Sequence, residues 1–171
     1  INLEGTRPIL IEIQALVDKS MLPNPKRLTV GTDAQRLTML LAILHRHVTL
    51  STYDQDVFLN AVGGIKINET ASDLAVLIAI VSSMTNQAVS SKTAIFGEVG
   101  LGGEIRPVSR GQERIKEASK LGFKRIIVPL KNKASDIPDV EIIGVDNLRD
   151  AVKVVFGSNR VKNDEQIYPD E

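Results

Sequence analysis

The stretch GGIKINETASDLAVLIAIVSS, Gly63–Ser83, decides how this chain is read. A pair of glycines leads into Thr70-Ala71-Ser72-Asp73, followed by a run that is apolar on nearly every side. A helix of that kind belongs at the centre of a domain, buried all round. Glycine, serine and a helix start are also the parts of a nucleophile site, so Ser72 has two readings. The first is structural. Thr70 and Asp73 fit the [ST]-x-x-[DE] capping box, in which two side chains satisfy N–H groups left over at a helix start. Asp73 also suits the positive end of the helix dipole. Ser72 is then a first-turn residue of the cap region.

Working outward, RPILIEIQALV alternates Ile9, Ile11, Ile13 and Ala15 against Leu10, Glu12 and Gln14, which predicts a strand. MLPNPKR is a proline-broken loop and LTVG a short strand. TDAQRLTMLLAILHRHV predicts a helix, capped by Thr32 or Asp33, with Leu37, Leu40, Leu41 and Leu44 on one face. DVFLNAVGGIKI predicts a strand bent or bulged at Gly63-Gly64. TAIFGEVGLGGEIRPV predicts two short strands around a glycine-rich turn, and SRGQERIKEASKLGF an amphipathic helix closed by Gly122. RIIVP and VEIIGV read as short strands and NLRDAVKVVF as a last helix. The class is α/β, a mixed sheet with packed helices, in one domain over residues 1–157. The polar stretch 158–171 is expected to be disordered.

Composition narrows the chemistry. With 171 residues and 43% apolar content, one core is well supplied. There is no cysteine, so disulfides and thiolate chemistry are excluded, as a cytoplasmic chain would allow. No apolar run reaches the roughly 18 residues of a membrane span. The first residue is isoleucine, which reads as an excised piece whose N-terminal neighbour is missing. The net charge is zero, but residues 103–133 hold nine basic and three acidic residues. That local excess can bind anions or face solvent. No G-x-x-x-x-G-K-[ST] loop is present, and GEVGLGGE leads into a strand rather than a helix, unlike a dinucleotide fingerprint. His45 and His47 are two apart on a helix, point in different directions and are not a metal pair.

Six blocks together, EGTRPILIEIQALV, VGTDAQRLTMLLAIL, DVFLNAVGGIKI, ASDLAVLIAIVSS, FGEVGLGGEIRPV and ERIKEASKLGFKRIIVP, carry a family resemblance. From about Glu4 to Phe156 the chain resembles the C-terminal domain of the bacterial RadA (Sms) DNA-repair proteins, which is similar to the proteolytic domain of Lon. The resemblance implies a ribosomal-protein-like α/β fold. It also implies an upstream ATPase and zinc finger, so that ATP, magnesium and zinc belong to those modules and no cofactor or metal to this one. It further implies a hexameric ring around DNA that promotes branch migration in recombination, with a recombinase filament as a further partner.

Lon proteases use a serine–lysine dyad. The same register sets Ala71 at the nucleophile position, Ser72 one residue later and Gln112 at the lysine position. A one-residue step turns a side chain by about 100° along a helix, so Ser72 points elsewhere. Its possible activators, Lys66 and Lys116, are not promised contact with it. Ser109-x-x-Gln112 fits a second capping box. No catalytic residue is therefore expected. The expected contacts are to the DNA backbone, by Arg7, Lys26, Arg27, Arg36, Lys66, Arg106 and Arg110, with Arg36 and Arg106 weighted most and Arg114 beside them. With two Tyr, four Phe and no Trp, base stacking contributes little. Two other readings stand beside this one: a purely structural oligomerisation module, and a residual peptidase using Ser72.

Overall fold

The computed structural model describes residues 1–133 and 135–157; the polar stretch 158–171 lies outside them. Among the described residues, ten strands and four α-helices follow one another. Strands β1 (Asn2–Glu4) and β2 (Arg7–Ile9) form an antiparallel ribbon. β3 (Ile13–Lys19), β4 (Arg27–Val30) and β5 (Gln55–Ala61) form a mixed sheet with β5 in the middle, antiparallel to β3 and parallel to β4. β6 (Thr93–Ile95), β9 (Arg125–Pro129) and β10 (Glu141–Val145) form a parallel sheet with β9 in the middle. β7 (Glu98–Val99) and β8 (Ile105–Arg106) make a small ribbon across the glycine-rich turn. The α/β class with mixed pairing is therefore as expected.

Helix α2 (Asp73–Thr85) is the centre of the molecule. It packs on β3, α1 (Ala34–Val48), α4 (Leu148–Phe156) and β7. Leu74, Leu77, Ile78, Ile80 and Val81 have at most 1% of their surface exposed. Burial of each such side chain contributes about 1.5–3 kcal/mol. α1 meets it with Leu37, Leu40 and Leu44. α3 (Gly111–Lys120) instead covers the parallel sheet through Ile115 and Ala118.

Three expected elements are divided differently. RPILIEIQALV holds two strands, because the chain changes partner between β2, which pairs with β1, and β3, which pairs with β5. β5 stops at Ala61, and Gly63 and Gly64, with φ +91° and +69°, turn the chain away; no strand resumes at Lys66. TAIFGEVGLGGEIRPV holds three short strands, since Thr93–Ile95 joins the parallel sheet while the next two pair with each other. Asp33 does cap α1, accepting from the Arg36 N–H at 2.7 Å. Gly122 follows α3 with φ +89°, as a terminating glycine does.

Candidate functional site

α2 does not begin with the expected box. Thr70–Ser72 form a single 3-10 turn and the α-helix starts at Asp73. The Thr70 hydroxyl donates to Glu98 Oε2 at 2.6 Å rather than capping. Asp73 is 2% exposed, and its carboxylate accepts from Arg36 Nε at 3.1 Å, from Arg36 Nη2 and from the Val99 N–H at 3.1 Å. Arg36 also donates to the Val99 carbonyl at 3.0 Å. Burial pushes the Asp73 carboxyl up from its ordinary value, opposed by the Arg36 fork and the Val99 N–H. The hydrogen bond to Asp73 in turn holds Arg36 above its ordinary value, firmly charged. The pair fastens the start of α2 to α1 and β7 in one place.

Ala71 is buried and presents only a methyl group. Ser72 is 8% exposed, and its hydroxyl donates backward to the Glu69 carbonyl at 3.2 Å. Lys66 and Lys116 are exposed, and neither makes a hydrogen bond to Ser72 among the described residues. The second box is not formed either. Arg110 sits at the start of α3 in the left-handed region, φ +56°, and Gln112 Nε2 donates to the Asn132 carbonyl at 2.8 Å. Asn132 pins this loop by two further bonds, from the Val108 N–H at 2.8 Å and to the Val108 carbonyl at 3.1 Å.

Beneath the turn lies Arg114, with 0% of its surface exposed. It holds Glu69 in a two-bond fork at 2.8 and 2.9 Å, and donates to the carbonyls of Ile1 at 2.8 Å and Ser109 at 2.9 Å. Its guanidinium lies 5.9 Å from the centre of the Phe96 ring. A cleft of about 270 Å³ opens between the ends of α1 and α2, lined by Asp33, Arg36, Glu69, Thr70, Ser72 and Asp73.

The predicted basic residues divide by what their side chains do. The guanidiniums of Arg36 and Arg27 are engaged inside the molecule, the latter by the carbonyls of Lys26, Thr52 and Gln55. Arg106 is 59% exposed, with Glu98 at 3.5 Å and Glu104 at 3.8 Å. Arg110 is 40% exposed, donates to the Thr6 carbonyl and lies 3.6 Å from Glu113. Arg7, next to Thr6, and Lys66, three residues before Glu69, are exposed. Lys66 thus lies on the segment that leads into α2, Arg106 reaches it through Glu98, which accepts from Thr70, and Arg110 lies with Thr6 beside Arg7. Lys26 is exposed but lies with Arg27 at the opposite end of β5 from Gly63. Seven strand residues separate the two ends by roughly 20 Å. Among the described residues, no group of three or more His, Cys, Asp or Glu side chains could hold a metal ion.

Sequence reading passed over the Arg36–Asp73 pair, the burial of Arg114 and the role of Asn132. One signal was available: Arg114 falls in line with Gly111, Ile115 and Ala118, the inward face of α3.

The chain that builds this arrangement, a central buried helix whose entrance is tied down by two arginine–carboxylate pairs, matches a described family over part of its length. The family model for the subunit ChlI of Mg-chelatase matches residues 38–132, and the chain belongs to that family. The match spans α2, the glycine-rich turn and α3; it includes no G-x-x-x-x-G-K-[ST] loop. Among curated proteins the chain is similar to DNA repair protein RadA. It is 56% identical over 154 residues to that of Pseudomonas aeruginosa, covering 90% of this chain and 34% of the relative. It is 56% identical over 152 residues to that of Escherichia coli, covering 88% and 33%. With that of Bacillus subtilis it shares 44% over 158 residues, covering 91% and 34%. The resemblance to RadA proteins drawn from the sequence blocks holds, and the chain spans about a third of the length of the curated relatives it matches.

Proposed function

We propose that this domain is a non-catalytic part of a RadA-type DNA-repair protein, serving ring assembly and sequence-independent contact with the DNA backbone. An upstream ATPase would then supply the energy for branch migration, with ATP, magnesium and zinc confined to the upstream modules. The observation that supports the reading is a buried alanine at position 71 and a glutamine at position 112, together with exposed basic side chains. A methyl group at Ala71 cannot attack a carbonyl, and a glutamine at position 112 cannot take up a proton as a lysine does. Arg7, Lys66, Arg106 and Arg110 keep their charges at the surface. Arginine forks and lysine point charges are what phosphate groups take. Arg36 and Arg27 serve the fold in this reading, and Lys26 is a contact only for a long strand.

Assembly has its own support. The outer face of the mixed sheet carries Leu16, Phe58 and Leu28 in one cross-strand row, with Val30 beside them. Leu16, Leu28 and Val30 are each more than half exposed. Apolar surface of that kind marks an interface.

The test is a double charge reversal, Arg106→Glu with Arg110→Glu, in the full-length protein. DNA affinity should fall at least tenfold while the oligomer seen by light scattering is unchanged. Unchanged affinity would remove the DNA-contact reading and leave a purely structural ring module.

A further inference from the structure

A second groove shares no lining residue with the cleft at the start of α2. It has a volume of about 800 Å³ and runs between the edge of β3 and the edge of β6, with α2 as its floor. Along this groove Ala75, Ala79 and Ser82 of α2 are only half-buried. Their small side chains leave depth above the floor.

Both walls are open strand edges. Along β3, Ser20 donates to Asp54 and Glu12 accepts from Val62, so even-numbered residues turn their backbone groups toward β5. Val17 turns its N–H the other way, to the Ser83 hydroxyl at 2.9 Å. By the two-residue alternation of a ladder, Ile13 and Ala15 also face outward, into the groove. Neither has a hydrogen-bond partner on that side among the described residues. Along β6, Phe96 donates to Ile127 on the β9 side, so Ile95 faces outward. One bond is already made on that edge: the Ile1 backbone nitrogen donates to the Ile95 carbonyl at 3.2 Å. Ile1 itself lines the groove. Any residue that precedes Ile1 is attached at this nitrogen and enters the groove beside the Ile95 N–H.

We propose that this groove seats one extended strand, contributed by the polypeptide directly preceding Ile1 in a protein of the relatives' length. The strand pairs with β6 on one side and β3 on the other. It joins the two sheets into one, in the order β10-β9-β6-strand-β3-β5-β4. Its alternate side chains are small and apolar, to rest on Ala75 and Ala79, and the others face solvent. Exposed edges invite pairing, and here two edges face the same space with the first bond in place.

Amide hydrogen exchange tests this on three proteins: the 171-residue chain, the full-length protein, and the full-length protein with the six residues before Ile1 replaced by glycine and serine. The amides of Ile13, Ala15 and Ile95 should exchange at least tenfold more slowly in the full-length protein than in the other two. Equal exchange in all three overturns the proposal. So does protection that survives the glycine–serine replacement, since another module would then cover the groove. Should the replaced protein not fold, a synthetic peptide of those six residues is added to the 171-residue chain, where failure to slow these three amides is equally contradictory.

Discussion

Arg114 is the residue on which the candidate site depends most. Its charge has no contact with water, and four of its hydrogen bonds go to Glu69, Ile1 and Ser109. Removing one partner of a buried pair costs about 3–5 kcal/mol, because the other charge stays behind. Arg114→Met should therefore lower stability by that amount in urea denaturation, and a loss under about 1 kcal/mol would show that the pair adds little. Ile1 supplies a second test. Burial lowers its α-amine from 8.0 to about 5. In a chain with a free amine at Ile1, the unfolded state then binds a proton that the folded state does not between pH 5 and 8. Stability should rise with pH across that window and fall as pH drops toward 5, and acetylation of the amine should abolish the slope. At this scale the sequence was least legible. The expectation that Ala71 and Gln112 stand at the dyad positions rests on the resemblance alone. Asp73 and Arg36 are 37 residues apart, and no local pattern connects them.

The helices were legible because their signals are local. Apolar spacing placed α1, α2 and α3, and Asp33 caps where a short acidic residue should. Asp33→Ala should cost about 1 kcal/mol, in line with other lost caps. Glycine at the β7–β8 turn has a firmer requirement. Gly103 has φ +76°, and a Cβ there would lie 2.8 Å from His47 Cγ. Gly103→Ala should destabilise the protein by more than the cap variant does, and thermal unfolding of the two side by side decides it. The strands were misdivided for a physical reason: a strand is defined by its partner, and partners are distant in sequence. The break at Leu10–Glu12 and the stop at Ala61 come from changes of partner and from Gly63 and Gly64, not from any loss of apolar alternation. The two capping boxes failed similarly. Thr70, Asp73 and Gln112 all found tertiary partners that outcompeted the local ones.

Across the whole molecule, the surplus of basic residues was visible in the sequence, but its sorting was not. A count of charges cannot tell that the guanidiniums of Arg36 and Arg27 are engaged inside, or that Lys26 lies a strand's length away from Lys66. The fold leaves Arg7, Lys66, Arg106 and Arg110 exposed, and with them the cross-strand row of Leu16, Phe58 and Leu28 on the outer face of the mixed sheet. If the charges serve DNA and the apolar row serves assembly, as proposed, the two should respond separately to mutation. The most direct measurement is fluorescence anisotropy of labelled single-stranded DNA with this chain, titrated across salt and protein concentration. Four backbone contacts should give a slope of log affinity against log salt of about −3, steepening with protein concentration if assembly brings several copies onto one strand. Absence of binding at low salt, at concentrations where the chain assembles, would contradict the account.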